Sequence, residues 1–383
     1  MTSTPTGDEF EILRATVRAF AHDVVAPVIG AYYAREEFPY DVVAQMGRMG
    51  LFGITVPELW GGMGGDLRAL CVALDELARV DSSVAITLEA AVCLGVEPLL
   101  RFGSDEQRRE WLPRLASGER IGAFGLTEPG AGTDAGGTRT TARLDGDEWV
   151  IDGTKAFITN SGTSITGFVA VAAVTGRLPD GASEISTILV PSGTPGFTVG
   201  PSYSKVGWLA SDTHELAFQG CRVPASNLLG ERGRGYAQFL EVLDEGRVAI
   251  AALAAGLAQG CVDESVAYAR TREAFGRPIG DNQAVAFSLA DMQTRAYAAR
   301  LAYLDAAALA TSGRPFRREA AMAKLLAADH AVLNARAATQ IHGGYGFVND
   351  YPVARMWRDA KVLEIGEGTN EVQRMVIARD LGL

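Results

Sequence analysis

The chain has 383 residues, more than one hydrophobic core usually sustains, so two or three domains are expected. Hydrophobic residues make up 48% and charged residues 21%, which fits a soluble globular protein. With 35 basic against 46 acidic residues the net charge is −11, which argues against nucleic-acid binding through a basic face but leaves room for a local basic pocket.

No segment is expected to span a bilayer, which takes ~20 apolar residues. The longest apolar run, Val248 to Ala258, is interrupted by Ala and Gly and reads as a buried helix. The start "MTSTPTGDEF" lacks the basic and apolar parts of a signal peptide. Cys71, Cys93, Cys221 and Cys261 form no CxxC, which argues against a disulfide framework or zinc site and fits a reducing cytoplasm. His22, His214, His330 and His342 are scattered, so no metal site is expected.

In chain order, residues 1–120 read as helical. Phe10, Leu13, Val17 and Phe20 recur at helical spacing, "PYDVVAQMGRMG" closes at Gly50, and "DLRALCVALDELARV" keeps the same period. Residues 121–231 change texture. "EWVIDGTKAFITNSG" places two β-rich runs either side of Asp152-Gly153, a hairpin signal, and "FVAVAAVT", "ISTILVP", "GFTV" and "ELAFQGCRVP" follow as short strands. Residues 232–383 are helical again: Val285, Leu289, Met292 and Ala296 keep helical spacing, as do Met322, Leu325, Leu326 and Leu333. Helices, then strands, then an Ala-rich bundle is not the alternation of an α/β nucleotide fold.

Several stretches admit two readings. "GLTEPGAGTDAGG" (125–137) is not a dinucleotide fingerprint, because strand-like "GTRTTARL" follows where a helix is required, and no Gly-Lys-Ser/Thr makes it a P-loop. It is either a surface loop or a loop wrapping a polar ring edge or pyrophosphate with its N–H groups and the hydroxyls of Thr127 and Thr133. Phe157 in "AFITNSG" is a core residue or the apolar wall of a flavin whose N5 meets the Thr159 hydroxyl. "RTREAFGRPIGDNQAV" is a solvated turn or an arginine fork for pyrophosphate, and Gly343-Gly344 a tight interhelical turn. In "VLEIGEGTNEVQR", Glu367 stands between Gly366 and Gly368, as a turn acid or as a base reaching a bound group.

Taken in order, "LTEPGAGTDA", "FITNSG", "REAFGRPI", "QIHGGYGF" and "RDAKVLEIGEGTNEVQR" resemble the acyl-CoA dehydrogenase family over nearly the whole chain. The resemblance implies a multi-domain α+β fold: an N-terminal helical domain, a middle β-barrel and a C-terminal four-helix bundle. It also implies FAD, a fatty acyl-CoA substrate, a homotetramer and electron transfer to an electron-transferring flavoprotein.

Carried over residue by residue, the flavin segment is Phe124 through Thr133, including Leu126, Thr127 at the pyrimidine edge, Gly132 and Thr133. Phe157, Ile158 and Thr159 would cover the ring. Arg272, Phe275 and Gln283, with Gln340, Gly343 and Gly344, would come from a neighbouring subunit to the ADP end, and Thr369 and Glu371 would complete the site. Thr133, Asp244, Arg247 and Gly368 match positions contacting coenzyme A. Glu367 matches the base that takes the α-proton while a hydride leaves the β-carbon for the flavin. The enolate oxygen would be held by the Glu367 backbone N–H and a flavin ribityl hydroxyl.

Phe157 stands where many members have tryptophan, Thr133 where serine is commoner, and Gly366 where many have tyrosine. Gly246 lies where isovaleryl-type members carry their base. The two missing side chains, Gly366 and Gly246, suggest a site widened around the α- and β-carbons, suited to short or branched chains. No arginine is assigned to a dicarboxylic chain. The alternatives are an oxygen-using oxidase or flavin monooxygenase on the same scaffold, and a silent acyl-CoA-binding subunit. The retained Glu367 speaks against the last.

Overall fold

A computed structural model describes residues 7–383. Most of the N-terminal stretch on which the absence of a signal peptide was read therefore lies outside the described residues. The chain opens with α1 (Gly7–Phe20), α2 (Ala26–Arg35), α3 (Tyr40–Arg48), α4 (Leu67–Ala78), α5 (Ser82–Glu89), α6 (Glu97–Phe102) and α7 (Asp105–Ala116). Side chains set the starts: Asp66 accepts from the N–H groups of Arg68 and Ala69, Asp81 from those of Ser83 and Val84, and Ser104 with Gln107 forms a capping box. Between α5 and α6 the helix loosens into a π-helical segment, Ala90–Val96.

The middle strands are β1 (Ile121–Gly125), β2 (Thr141–Asp145), β3 (Glu148–Thr159), β4 (Thr166–Arg177), β5 (Ser183–Pro191), β6 (Phe197–Ser202), β7 (Thr213–Pro224) and β8 (Leu228–Leu229). They form one sheet in the order β6-β7-β3-β2-β4-β5-β8, with β1 parallel to β4. Inward residues of β1–β5 and β7, among them Trp149, Ile151, Val169, Ile188 and Phe218, enclose a common core. The Asp152-Gly153 hairpin is not formed. The turn lies one Asp-Gly earlier, at Gly146 (φ 66°) between β2 and β3. Asp152-Gly153 instead sits inside β3, where pairing with β7 slips between Ile151 and Gly153. Gly153 has φ 148°, and a Cβ there would come within 2.5 Å of Thr140 Oγ1.

The C-terminal part comprises α8 (Gly235–Thr271), a two-strand hairpin β9 (Glu273–Ala274) and β10 (Arg277–Pro278), α9 (Gln283–Thr311), α10 (Arg317–His342), α11 (Pro352–Leu363) and α12 (Asn370–Asp380). Helices α8, α9 and α10 pack on one another, and α11 and α12 close the bundle against α10. Helices from both ends of the chain share a single apolar core. Gly256 and Gly260 allow α4 to lie against α8, since a Cβ at either would come within 2.2 Å of the Asp75 or Arg79 carbonyl. On α10 the expected stripe faces outward: Met322, Leu326 and Leu333 are exposed, while the alanines and Lys324 point inward. The close helix contact has room only for small side chains.

Two helical stretches, Ser82–Phe102 and Gly235–Thr271, are long and apolar enough to cross a membrane, contrary to the expectation that none is. Of their apolar windows, 83% and 89% are buried inside the protein, so they serve as core helices.

Asp359 on α11 ties the parts together. Its buried carboxylate accepts from the Tyr33 hydroxyl and the Trp208 N–H at 2.6 Å each, and from the Ser82 hydroxyl at 2.7 Å. Burial, with Asp81 nearby, pushes this acid up to about 6. Asp359→Ala leaves three donors without an acceptor and should lower unfolding stability by about 3 kcal/mol or more. Asp359→Asn keeps one oxygen and should lose clearly less, as measured by chemical denaturation.

Candidate active site

The end of β3 is bent. Phe157 has φ 60°, and pairing with β7 slips between Lys155 and Ile158. The bulge turns the Phe157 ring outward, 64% exposed and stacked on Tyr203 at 5.0 Å. Phe157 is therefore not core. Ile158, by contrast, is buried in the sheet core, so its side chain cannot cover a bound ring and only its backbone can face one. Thr159 ends the strand half-buried. The following turn is pinned: Asn160 Nδ2 donates to the Thr87 carbonyl at 3.1 Å, and the Gly162 N–H donates to Asp212 at 2.8 Å.

The glycine-rich loop is held to this strand end. The Ala156 N–H donates to the Thr127 carbonyl at 2.9 Å. Beneath it, buried Lys155 donates to Glu128 at 2.8 Å and to the Leu126 carbonyl at 3.2 Å. Glu128 also accepts the N–H groups of Arg139 and Thr140, at 2.8 and 2.9 Å. Burial lowers the Lys155 ammonium to about 8 despite this partner. Phe124 lies on Phe239 with ring centroids 4.1 Å apart, and Leu126 points inward, so Leu126 too offers only backbone. Gly132 and Thr133 are exposed, and a Cβ at Gly132 would meet nothing within 4 Å.

Glu367 lies in the link between α11 and α12 with φ 50°, followed by Gly368 at 91°. This backbone is held from below: buried Lys324 donates to the Gly368 carbonyl at 2.9 Å, and Gln373 Nε2 donates to the Gly368 and Glu367 carbonyls at 2.9 and 3.4 Å. Thr369 caps α12 by accepting the Val372 N–H at 3.3 Å, and Glu371 lies exposed in the first turn. Both Glu367 carboxylate oxygens are buried, and among the described residues no N–H or hydroxyl group is hydrogen-bonded to them. Burial raises the pKa of this acid, while Glu89, Arg247 and Lys324 pull it down.

Gly246 on α8 lies directly against this carboxylate, where a Cβ would fall 2.2 Å from Glu367 Oε2. The missing side chain makes room for the base itself and does not widen an acyl pocket. Arg247 is 3% exposed, pairs with Asp244 and lies within electrostatic reach of Glu367. Beside Cys93 opens a cavity of ≈ 360 Å³ lined by Leu67, Leu70, Glu97, Leu100, Arg101 and Glu245 among others.

A second cleft, of ≈ 580 Å³, lies elsewhere, lined by Tyr268, Arg272, Gly343, Gly344 and Tyr345 among others. Arg272 lies over the Tyr345 ring, 5.8 Å from its centre. Phe275 projects fully exposed from the tip of the β9–β10 hairpin at φ 55°. Gln283 and Gln340 are exposed at neighbouring helix ends. The lining of this cleft includes no residue of 124–133 or 157–159. Within the protomer the expected flavin residues thus form two separate groups.

Three family models cover the chain: acyl-CoA dehydrogenase N-terminal domain over residues 7–119, middle domain over 123–221 and C-terminal domain over 233–382. The chain belongs to the acyl-CoA dehydrogenase family. A probable acyl-CoA dehydrogenase, YngJ of Bacillus subtilis, is 48% identical over 373 residues, covering 97% of this chain and 98% of its own. Butyryl-CoA dehydrogenase from Megasphaera elsdenii superposes with a TM-score of 0.94 at 38% identity, covering 100% of both chains. A glutaryl-CoA dehydrogenase from Mycobacterium smegmatis, described in complex with FADH2, gives 0.92 at 30% identity over 98% of this chain and 95% of its own. This family member is an FAD-dependent oxidoreductase. The residues present suit that cofactor: an outward aromatic face at Phe157, open glycine backbone at 130–132, and an arginine exposed beside Gly343-Gly344.

Sequence reading missed Lys324, Gln373, the Glu128–Lys155 pair and Glu89. Lys324 and Glu89 were visible only as single charges inside apolar runs, and Lys155 and Gln373 left no signal. Lys155→Met would strand the Glu128 carboxylate, and breaking such a buried pair costs about 3–5 kcal/mol. The variant is expected to unfold earlier in denaturant and to bind FAD at least tenfold more weakly, measured by flavin fluorescence.

Proposed function

We propose that the protein dehydrogenates a short or branched fatty acyl-CoA to its trans-2-enoyl-CoA, with Glu367 as the base. The observation carrying this reading is the Glu367 carboxylate itself, buried, without an N–H or hydroxyl partner among the described residues, and set in a left-handed turn beside Gly246. A surface turn acid would be solvated. This one is desolvated, which raises its proton affinity and suits it to take a weakly acidic α-proton. Lys324 and Gln373 act on the carbonyls behind it, keeping the backbone fixed while the side chain works.

The residues that would hold FAD are Thr127, Thr133 and the 130–132 backbone, Phe157 and Thr159, with Arg272, Phe275, Gln283, Gln340 and Gly343-Gly344 supplied by a neighbouring subunit. Bound FAD supplies the acceptor for the β-hydrogen and its electron pair. Phe157 shields one side of the site from water, and Thr369 and Glu371 border it. Thr133, Asp244, Arg247 and Gly368 would contact the thioester and coenzyme A. A homotetramer fits the exposed apolar residues of α9 and α10, including Phe287, Tyr297, Leu301 and Met322. Electrons would pass to an electron-transferring flavoprotein, and a cytoplasmic location fits the four free cysteines.

Glu367→Gln should keep FAD and acyl-CoA binding but slow flavin reduction by about 10²–10⁴-fold, the usual worth of a general base. In the unaltered enzyme, reduction should fall on the acid side at a pH above the ordinary 4.5 of a glutamate, because the base must be ionised and burial has raised its pKa. Rapid-mixing absorbance across pH measures both, and near-normal reduction by the Gln variant would place the base elsewhere.

For the substrate, support comes from the likeness to a butyryl-CoA dehydrogenase and from Gly366, where an added Cβ would meet only the Val362 carbonyl, at 3.5 Å. Space there would take a methyl branch. Expected kcat/KM values for butyryl-, isobutyryl- and 2-methylbutyryl-CoA exceed that for palmitoyl-CoA, in graded steps because a methylene is worth only ~1–3 kcal/mol. Gly366→Tyr should reduce turnover of 2-methylbutyryl-CoA more than that of butyryl-CoA. Preference for palmitoyl-CoA would reject the pocket argument and leave the dehydrogenase assignment standing.

A further inference from the structure

Glu89, the last residue of α5, has no role in the reading above. It is 0% exposed, and as with Glu367 neither carboxyl oxygen has an N–H or hydroxyl partner among the described residues. The two carboxyls face each other within hydrogen-bonding reach. Their placement is set by the fold. Asn160 grips the Thr87 carbonyl two residues before Glu89, and the π-helical segment begins immediately after it, at Ala90. Such loosened turns displace side chains from regular helical register and are frequent at functional sites.

The charged neighbours decide the state of the pair. Facing Glu89 are Glu367 and the Cys93 thiol, which burial keeps protonated, and among the described residues no cation acts on it. Facing Glu367 are Glu89 from α5, Arg247 from α8 and Lys324 from α10. Arg247 is engaged by Asp244, and Lys324 by the Gly368 carbonyl and Asn370. Two desolvated carboxyls in contact, with no cation between them, cannot both ionise.

We propose that Glu89 is a positioning residue for the base: its neutral carboxyl donates a hydrogen bond to Glu367, fixing one oxygen of that carboxylate and leaving the other for the α-proton. This deepens the assignment of Glu367 as base and rests on it. The bond opposes the effect of burial. It stabilises the ionised form of the base and offsets part of the rise that burial causes. When Glu367 takes a proton, Glu89 keeps its own, and no charge is created in the pocket beyond.

The test uses the FAD-loaded enzyme and two variants. Glu89→Gln retains an N–H donor, and Glu89→Leu has none. Without a donor the proton affinity of Glu367 rises, so the acid limb of the flavin-reduction profile should move to higher pH by about one unit, a tenfold change in proton affinity. In Glu89→Gln the limb should stay where it is in the unaltered enzyme. Independently of turnover, the infrared difference spectrum of unaltered minus Glu89→Gln enzyme at neutral pH should contain a protonated-carboxyl C=O band. Absence of that band means Glu89 is ionised and overturns the proposal, as does an acid limb in Glu89→Leu coincident with the unaltered one. If Glu89→Leu fails to fold, the infrared band decides. Normal reduction by Glu367→Gln would instead sink the base assignment and leave the infrared result intact, so the two failures are distinguishable.

Discussion

The cost of keeping the Glu367 carboxylate out of water, which runs to several kcal/mol for an unpaired ion, governs how the surrounding elements are built. Among the described residues no backbone N–H reaches its oxygens. Its support is indirect: a lysine and a glutamine grip the carbonyls behind it, a glycine on α8 clears its volume, and an arginine and a second acid set its electrostatics. These groups come from α5, α8, α10 and α12. The site therefore exists only when both helical ends of the chain have packed into their common core.

The strand region serves a different need. It presents the Phe157 ring and the 127–133 loop as one rigid piece, coupled by the Ala156–Thr127 bond and the buried Lys155–Glu128 pair. A left-handed phenylalanine is strained, and it persists because the β7 register slip and the Asn160 and Asp212 contacts over-determine it. Asn160 also reaches α5, so the strand end and the acidic end of that helix are positioned by the same turn.

Much of the architecture could be read from the residues. Helical spacing around Val17 and Phe20, the glycine stop at Gly50 and the alternating strands all reflect local burial patterns, and the change of texture along the chain gave the order of parts. The failures have physical causes. Two Asp-Gly pairs lie seven residues apart, and only cross-strand packing against Thr140 and β7 makes one a turn and the other a bulge. The leucines of α10 have the period of a core stripe, but close helix packing admits alanine there and turns the larger side chains outward. Gly246 looked like an empty space because sequence does not reveal that a carboxylate from far along the chain occupies it. Glu367 was legible through its flanking glycines and resemblance. Glu89 was a lone acid in an apolar run, and its meaning depends on a contact between distant segments.

The two apolar core helices have a consequence for synthesis. Ser82–Phe102 leaves the ribosome long before Gly235–Thr271, and the whole strand region is made in between. During that interval the earlier helix lacks the α8 surface that covers it in the finished protein. A nascent chain in this condition exposes an apolar segment, and such transiently uncovered surface is prone to aggregate. The embedded glutamates, Glu89 and Glu97, interrupt that segment. Their charge lowers the affinity of the unfinished chain for a bilayer.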